Sequence, residues 1–135
     1  MNLDDLHRQL IEDEALRLKP YRDTVGKLSI GVGRNLDDVG ISEAEAMVLL
    51  DNDINRTVSD LDARLMWWRQ MDDTRQNVLV NMCFNMGIEG LLTFHNTLAA
   101  MQQGRYADAA DGMASSQWAR QVGARADRLV AIMRG

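Results

Sequence analysis

The chain has 135 residues, a hydrophobic content of 46%, a charged content of 26% and a formal net charge of −5 at pH 7. These values fit one globular domain and exclude a disordered or fibrous chain. The single cysteine, Cys83, excludes an intrachain disulfide, no apolar run approaches the roughly 18 residues of a membrane span, and the acidic balance argues against nucleic acid as a partner.

The first segment predicts an amphipathic helix that ends near Glu14. Asn2 is a suitable N-cap, and the acidic residues that follow it favour the positive end of the helix dipole. Apolar residues recur at helical spacing and predict a buried stripe formed by Leu3, Leu6, Leu10 and Ile11. No basic and apolar leader precedes this helix, so we expect a chain without a signal peptide.

Residues 21–33 predict a β-hairpin, because a turn at residues 24–27 separates a short strand from a segment of period two. Gly26 can adopt the positive φ that such a turn needs. The second strand has one apolar face (Leu28, Ile30, Val32) and one nearly bare face (Ser29, Gly31, Gly33). A hairpin centred on Gly26 would place Asp23 across from Ser29 on the open face, with Glu14 beside them.

Two carboxylates beside an accessible groove are the minimum apparatus of a glycosidase. Glu14 could protonate the leaving oxygen, while Asp23, helped by Ser29, could hold and activate a water molecule. Taken alone, each of these residues can also be explained without a catalytic role. Glu14 fits a solvated helix end, Asp23 fits a turn residue that caps its own backbone, and Ser29 needs no role on a strand.

The remainder of the chain predicts helices. Ser42 and Glu45 form a capping box that opens a long helix, and Asp72 or Asp73 caps a second helix, apolar on nearly every side, which Gly87 ends. Shorter helices follow to the C-terminus, so the fold class is mainly α (α+β) with one small β-hairpin lobe. His7 and His95 are too isolated to form a metal site, and we expect neither a metal nor a cofactor.

The segment that contains Glu14, Asp23 and Ser29 resembles the active-site segment of the T-even phage lysozyme family, the phage-type muramidases of glycoside hydrolase family 24. The family pattern is a Glu, eight residues, an Asp, five residues and a Thr, and Glu14, Asp23 and Ser29 keep this spacing, with Ser29 in the Thr place. Asn81–Gly87, Phe94–Leu98 and further segments extend the match over nearly the whole chain. Together, the spacing and the collinear match favour catalytic roles.

The resemblance implies a lysozyme-like fold with an active-site cleft between two lobes that a long helix joins. It implies a single domain, residues 1–135, with a small lobe at about 15–45 and a helical lobe built from 1–14 and about 60–135. The implied activity is that of an endolysin, which hydrolyses the β-1,4 bond between N-acetylmuramic acid and N-acetylglucosamine in peptidoglycan, with inversion. It further implies saccharide contacts by Asn35, Phe84 and Thr97, and a pair between Arg125 and Glu14, although Phe84 on an apolar helix also fits a core position.

The resemblance also bears on partners and location. We expect a monomer that binds peptidoglycan, has no stable membrane association, resides in the host bacterial cytoplasm and reaches the cell wall by a holin-type route. The chain departs from the family in its acidic net charge, in Ser29, and in Arg34, which stands where His is frequent. Two alternatives therefore remain: a lytic transglycosylase on the same polymer, and a catalytically degenerate binding or structural module of a phage particle.

Overall fold

The computed structural model describes residues 1–135 and is mainly α, with 67% of the chain helical and one small antiparallel sheet. In chain order the elements are α1 (Leu3–Glu14), β1 (Arg17–Arg22), β2 (Leu28–Gly31), β3 (Arg34–Asn35), α2 (Glu43–Arg64), a 3-10 turn (Trp68–Gln70), α3 (Asp73–Leu92), α4 (His95–Gln102), α5 (Tyr106–Ala114), α6 (Gln117–Val122) and α7 (Ala124–Arg134). This order confirms the predicted fold class, a mainly α, lysozyme-like protein with a small sheet near the N-terminus.

The chain folds as two compact units, Met1–Val48 and Leu49–Gly135. The first unit contains α1, the sheet and the start of α2, and the second contains the remaining helices. Helix α2 runs without interruption through the boundary. The implied division, with residues 1–14 in the helical lobe, stays a prediction.

Helix α1 begins as predicted, because the side chain of Asn2 accepts a hydrogen bond from the backbone N–H of Asp5 at 3.1 Å. The predicted buried stripe is wrong. No residue of α1 is buried, and Leu3, Leu10 and Ile11 are 57%, 43% and 45% exposed. Helical spacing predicts which side chains share a face, but it does not predict that another element covers that face.

The sheet has the order β1-β2-β3, so β2 is its central strand. Ser29 pairs with Tyr21 of β1 and with Asn35 of β3. The predicted pairing of Asp23 with Ser29 is therefore wrong. Asp23 lies opposite Lys27 instead, and its backbone N–H donates to the Lys27 carbonyl at 2.9 Å.

The register follows from the turn between β1 and β2. The N–H of Gly26 donates to the Asp23 carbonyl at 3.0 Å, and Gly26 takes a φ of 85° as the last residue of a three-residue loop. The hairpin is thus centred on Val25 rather than on Gly26. Because strand side chains alternate with a period of two, moving Ser29's partner from Asp23 to Tyr21 leaves the predicted face unchanged.

Polar side chains cap the longer helices at the predicted residues. The N–H of Ser42 donates to Glu45 Oε1 at 2.9 Å, and the N–H of Glu45 donates to Ser42 Oγ at 3.1 Å, which confirms the capping box. Asp72 caps α3. Gly87, with φ 79° and ψ 163°, kinks α3 rather than ending it.

The second unit contains the hydrophobic core. Of the apolar positions along α2, only those near its C-terminal end are fully covered, with Leu61 at 0% exposure, whereas Met47 is 48% exposed. Five methionines are buried, one in each of α3, α4, α5 and α7 and one directly after the 3-10 turn: Met82, Met101, Met113, Met133 and Met71. None of the helices combines the length and apolar character that crossing a membrane requires.

Candidate active site

Glu14 is the last residue of α1 and is exposed. Its carboxyl group lies against Gly33, where a Cβ would stand 2.8 Å from Glu14 Oε2 and 3.0 Å from Cδ. Ala15, the next residue, has φ 64° and ψ 155° and is the only non-glycine residue with a positive φ. This strained backbone conformation ends α1 directly after Glu14, the residue that the sequence singled out for catalysis.

Asp23 is half-buried at the start of the hairpin turn. Its Oδ1 accepts hydrogen bonds from the N–H groups of Val25 at 3.0 Å and Lys27 at 2.8 Å. The ordinary reading of Asp23 as a turn residue is thus correct. Both bonds use one carboxylate oxygen, which leaves Oδ2 for an outside group, so the turn and a catalytic role are compatible.

Ser29 lies on the central strand and is only 3% exposed. The pairing on both sides fixes its backbone, through Tyr21 and Asn35. Little of this side chain is therefore accessible, although the face on which it lies was predicted to be open. A hydroxyl group at such a position can orient one small molecule, such as water, but cannot reach far toward a polymer.

Asn35 is half-buried in β3, and Asp38 engages both ends of its side-chain amide. Its Nδ2 donates to Asp38 Oδ2 at 3.0 Å, and its Oδ1 accepts from the Asp38 N–H at 2.9 Å. The same residue accepts the N–H groups of Val39 and Gly40 at its carbonyl. Asn35 closes the loop after the sheet in this structure, and its predicted saccharide contact stays a prediction.

Arg34 connects β3 to the start of α2. Its Nη1 donates to the carbonyl of Gly40 at 3.1 Å and to Glu45 Oε1 at 2.8 Å. The hydrogen bond from Arg34, aided by those from Ser42, lowers the pKa of Glu45 from its ordinary value of 4.5 to about 2. The residue that departs from the family pattern therefore has a partner of its own.

Phe84 and Arg125 line one groove of about 380 Å³ in the second unit, together with Leu50, Ile54, Asn77, Val80 and Asn81. Phe84 is 42% exposed, so the alternative that it occupies a core position is wrong. Arg125 Nη2 and Nε donate to Asn81 Oδ1 at 2.7 and 3.0 Å. Its predicted pair with Glu14 stays a prediction.

Thr97 is 6% exposed and lines a second pocket, of about 600 Å³, beside Phe94, Asn96 and Trp118. Its hydroxyl group occupies the place that a Cβ at Gly112 would need. Trp118 Nε1 donates to Asn85 Oδ1 at 2.8 Å, and its ring meets that of Phe94 edge-on with centroids 6.3 Å apart. The pocket thus presents a mixed polar and aromatic surface of the kind that sugars and peptides contact.

The predicted site residues thus fall into three groups. Glu14, Asp23, Ser29 and Asn35 lie in the first unit, Phe84 and Arg125 share a groove in the second, and Thr97 lines a separate pocket. No three His, Cys, Asp or Glu side chains are grouped so that they could hold a metal ion.

Sequence reasoning missed two residues that bear on the first unit's site. Gly33 was recognised as part of a bare strand face, but its contact with Glu14 has no signal in the alternation. Glu45 was recognised as half of a capping box, whereas its bond to Arg34 spans eleven residues and depends on how the loop folds.

The sequence profile of the phage lysozyme family matches residues 11–133. The protein named Probable T4-type lysozyme 1, from Dictyostelium discoideum, is 25% identical over 90% of this chain and 88% of its own length. The SAR-endolysin of Escherichia phage Mu is 30% identical over 79% of this chain and 63% of its own length.

A further relative is part of a larger assembly. The pre-baseplate central spike protein Gp5 of Enterobacteria phage T4 is 29% identical over 92% of this chain. The matched region is only 26% of the spike protein, so this chain resembles one part of it.

Proposed function

This chain belongs to the phage lysozyme family, and from that premise we propose that it is an endolysin-type muramidase. The reaction is hydrolysis of the β-1,4 bond between N-acetylmuramic acid and N-acetylglucosamine in bacterial peptidoglycan. Family membership supports the coarser activity, a glycosidase acting on a cell-wall glycan. The substrate bond and the residue roles are the proposal.

One observation carries the assignment of roles. The first unit places an exposed carboxyl group, Glu14, in contact with Gly33 in the turn between β2 and β3. The same sheet carries Ser29 on β2, and Asp23 lies in the turn between β1 and β2. An acid at a helix end and an acid on the adjoining hairpin are the two carboxyl groups that glycoside hydrolysis needs.

The proposed mechanism uses these groups in sequence. Glu14 donates its proton to the glycosidic oxygen as the bond to the anomeric carbon breaks. A water molecule that the Ser29 hydroxyl orients adds its oxygen to the anomeric carbon. Asp23 accepts the proton of that water through Oδ2, the oxygen that the turn leaves uncommitted. Inversion requires the two carboxyl groups to stand roughly 6.5–9.5 Å apart, which leaves room for the water.

The substitution Glu14→Gln tests the role of the acid. The amide cannot protonate the leaving oxygen, so we expect the rate of peptidoglycan hydrolysis to fall by at least about 100-fold. Glu12→Gln is the matched control, because it makes the same change two residues earlier on the exposed surface of α1. Turbidity of purified peptidoglycan measures both. A Glu14→Gln protein that retains most of the parent's rate would refute the assignment.

Mass spectrometry of the released fragments separates hydrolysis from the transglycosylase alternative. Hydrolysis by Glu14 and Asp23 adds water and yields reducing muramic ends. A transglycosylase needs one acid and no water, and yields anhydro-muramic ends. Anhydro products together with an active Asp23→Asn variant would overturn the hydrolytic mechanism, whereas the proposed substrate would remain the same.

The similarity to the central spike protein of phage T4 favours a second candidate, a module of a phage particle. Such a module could keep the fold for binding or assembly alone. Pull-down of peptidoglycan without turnover by the parent protein would favour this role. Release from the host cytoplasm by a holin-type route belongs to the endolysin proposal and would not apply to the particle module.

A further inference from the structure

Position 33 links the proposed acid to the sheet. The carboxyl group of Glu14 packs on the bare backbone of Gly33, with the hypothetical Cβ only 2.8 Å from Oε2. Because Glu14 is exposed and is the last residue of its helix, few other groups restrict its carboxyl group. Where that carboxyl group points therefore depends on where the backbone of Gly33 is held.

Arg34, the next residue, links that backbone to the following loop and to α2. Its main chain pairs with Ile30 of β2, and its guanidinium group reaches across the following loop to the Gly40 carbonyl and to Glu45 Oε1. One side chain thus ties together the end of the sheet, the end of the loop and the first turn of α2.

Glu45 is itself fixed. The oxygen that binds Arg34, Oε1, also accepts the N–H of Ser42 at 2.9 Å, while the N–H of Glu45 binds Ser42 Oγ. Because both charge-assisted bonds converge on one carboxylate oxygen, moving that oxygen away would break both. Its depressed pKa, about 2, keeps it ionised over the neutral and mildly acidic range.

We propose that Arg34 and Glu45 are positioning residues for the Glu14 carboxyl group, acting through the backbone of Gly33. Neither residue touches the substrate in this proposal. The capping box of α2 anchors Glu45, Glu45 anchors Arg34, and Arg34 fixes the turn on which Glu14 rests. The inference rests on the proposed function for its catalytic consequence, but the mechanical link can be measured without activity.

A double-mutant cycle on the Gly33 amide tests the link directly. In the parent, Glu14→Gln should change the ¹⁵N shift of Gly33, because the two groups are in contact. In a Glu45→Ala background the same Glu14→Gln change should shift Gly33 by less than about half as much. Asn35 and Ile30 amides report whether the sheet remains paired. An undiminished Gly33 response in the Glu45→Ala background would overturn the inference.

Kinetics test the catalytic consequence. Glu45→Ala and Arg34→Ala should each lower kcat by about tenfold with KM changed by less than about twofold, because misplacement of a reacting group acts on the chemical step. The double variant should lose little more than either single one. Glu45→Gln keeps the acceptor oxygen and should recover part of the rate. A rise in KM as large as the fall in kcat would contradict a positioning role. Additive losses of kcat in the double variant would contradict a role that the two residues share.

Glu89→Ala is the matched control, since it removes an ion pair of similar length, with Arg64 at 2.9 Å, in the second unit. It should leave kcat and the Gly33 response unchanged, and a loss of kcat equal to that of Glu45→Ala would contradict the inference. A parent protein without any hydrolytic activity would overturn the proposed function and not the link, because the Gly33 cycle is read from the spectrum alone.

Discussion

A side chain at position 33 would displace the carboxyl group of Glu14. A methyl group there would stand 2.8 Å from Oε2, and Gly33 also has a φ of +68°. Gly104 has a similar φ, +73°, but nothing within 4 Å of its hypothetical Cβ. The two glycines thus separate backbone strain from contact with the proposed acid.

We predict that Gly33→Ala and Gly104→Ala each lower the free energy of unfolding, by about 1–2 kcal/mol from backbone strain. Only Gly33→Ala should also lower kcat, because only its methyl group displaces Glu14. Thermal unfolding and the turbidity assay measure the two effects. A Gly33→Ala protein that is destabilised but fully active would show that the contact with Glu14 is dispensable.

Cys83 is the second residue with a testable chemical property. It is 3% exposed, and burial, with a smaller contribution from Asp60, raises the pKa of its thiol from 9.0 to about 11. At pH 8 the thiolate fraction should therefore be about 100-fold lower than that of an ordinary cysteine. Ellman's reagent should react slowly with the folded protein and rapidly in denaturant. Rapid reaction of the folded protein would contradict this burial.

Two helices begin with carboxylates whose pKa values lie far below their ordinary range. The bond from Arg34 lowers the pKa of Glu45 to about 2, and the bonds from Thr74 and then Arg75 lower that of Asp72 to about 2. A depressed pKa in the folded state means that the unfolded chain binds protons first. The stability from these caps is thus present above pH 4.5 and is lost as the pH falls toward 2.

We therefore predict that the melting temperature falls as the pH is lowered from about 4.5 to 2, with loss of helix from the first turns of α2 and α3. Glu45→Gln, combined with Asp72→Asn, should flatten this part of the curve, because neither amide titrates. Both carboxylates are solvent-exposed, so salt should weaken the effect. Circular dichroism between pH 5 and 2 measures it, and an unchanged slope in the double variant would assign the acid sensitivity to other groups.

The helices show what local sequence could and could not predict. Asn2 and the Ser42–Glu45 box were predicted as caps and act as caps, and of the two candidates Asp72 and Asp73 the cap is Asp72. These predictions are possible because capping depends on residues three positions apart. Covering of a helix face depends on distant residues. The apolar stripe of α1 was predicted as buried, yet Leu3, Leu10 and Ile11 are exposed.

The hairpin shows the same limit for the candidate site. Gly26 was recognised as the residue with positive φ, but the loop has three residues, so the strands pair two positions away from the predicted register. This shift does not change the face on which Ser29 lies, because two residues are one full period of a strand. Its 3% exposure could not be read from the alternation, since burial depends on what lies over the sheet.

The charge distribution belongs to the molecule as a whole. The net charge is −5. Residues 36–62 contain eight acidic residues and only one basic residue, Arg56. Residues 117–135, in contrast, contain four arginines and one acidic residue. Long-range attraction to an anionic glycan should therefore be weak, and repulsion from the acidic segment should oppose approach.

We predict that raising the salt concentration to about 150 mM, where the Debye length is about 8 Å, leaves the rate of peptidoglycan lysis unchanged or raises it. A basic lysozyme should be slowed under the same conditions, because salt screens its attraction to the polymer. The initial rate at constant pH measures the effect. Strong inhibition by added salt would show that the local arginines, rather than the net charge, govern the encounter.

The distribution of methionine through the core has a practical consequence. The five buried methionines occupy α3, α4, α5, α7 and the residue after the 3-10 turn, so each of these segments contributes one thioether methyl to the interior. Labelling this one amino acid with ¹³C would yield a separate signal for each segment. Heating the labelled protein would then reveal whether the helical interior melts in a single step or segment by segment.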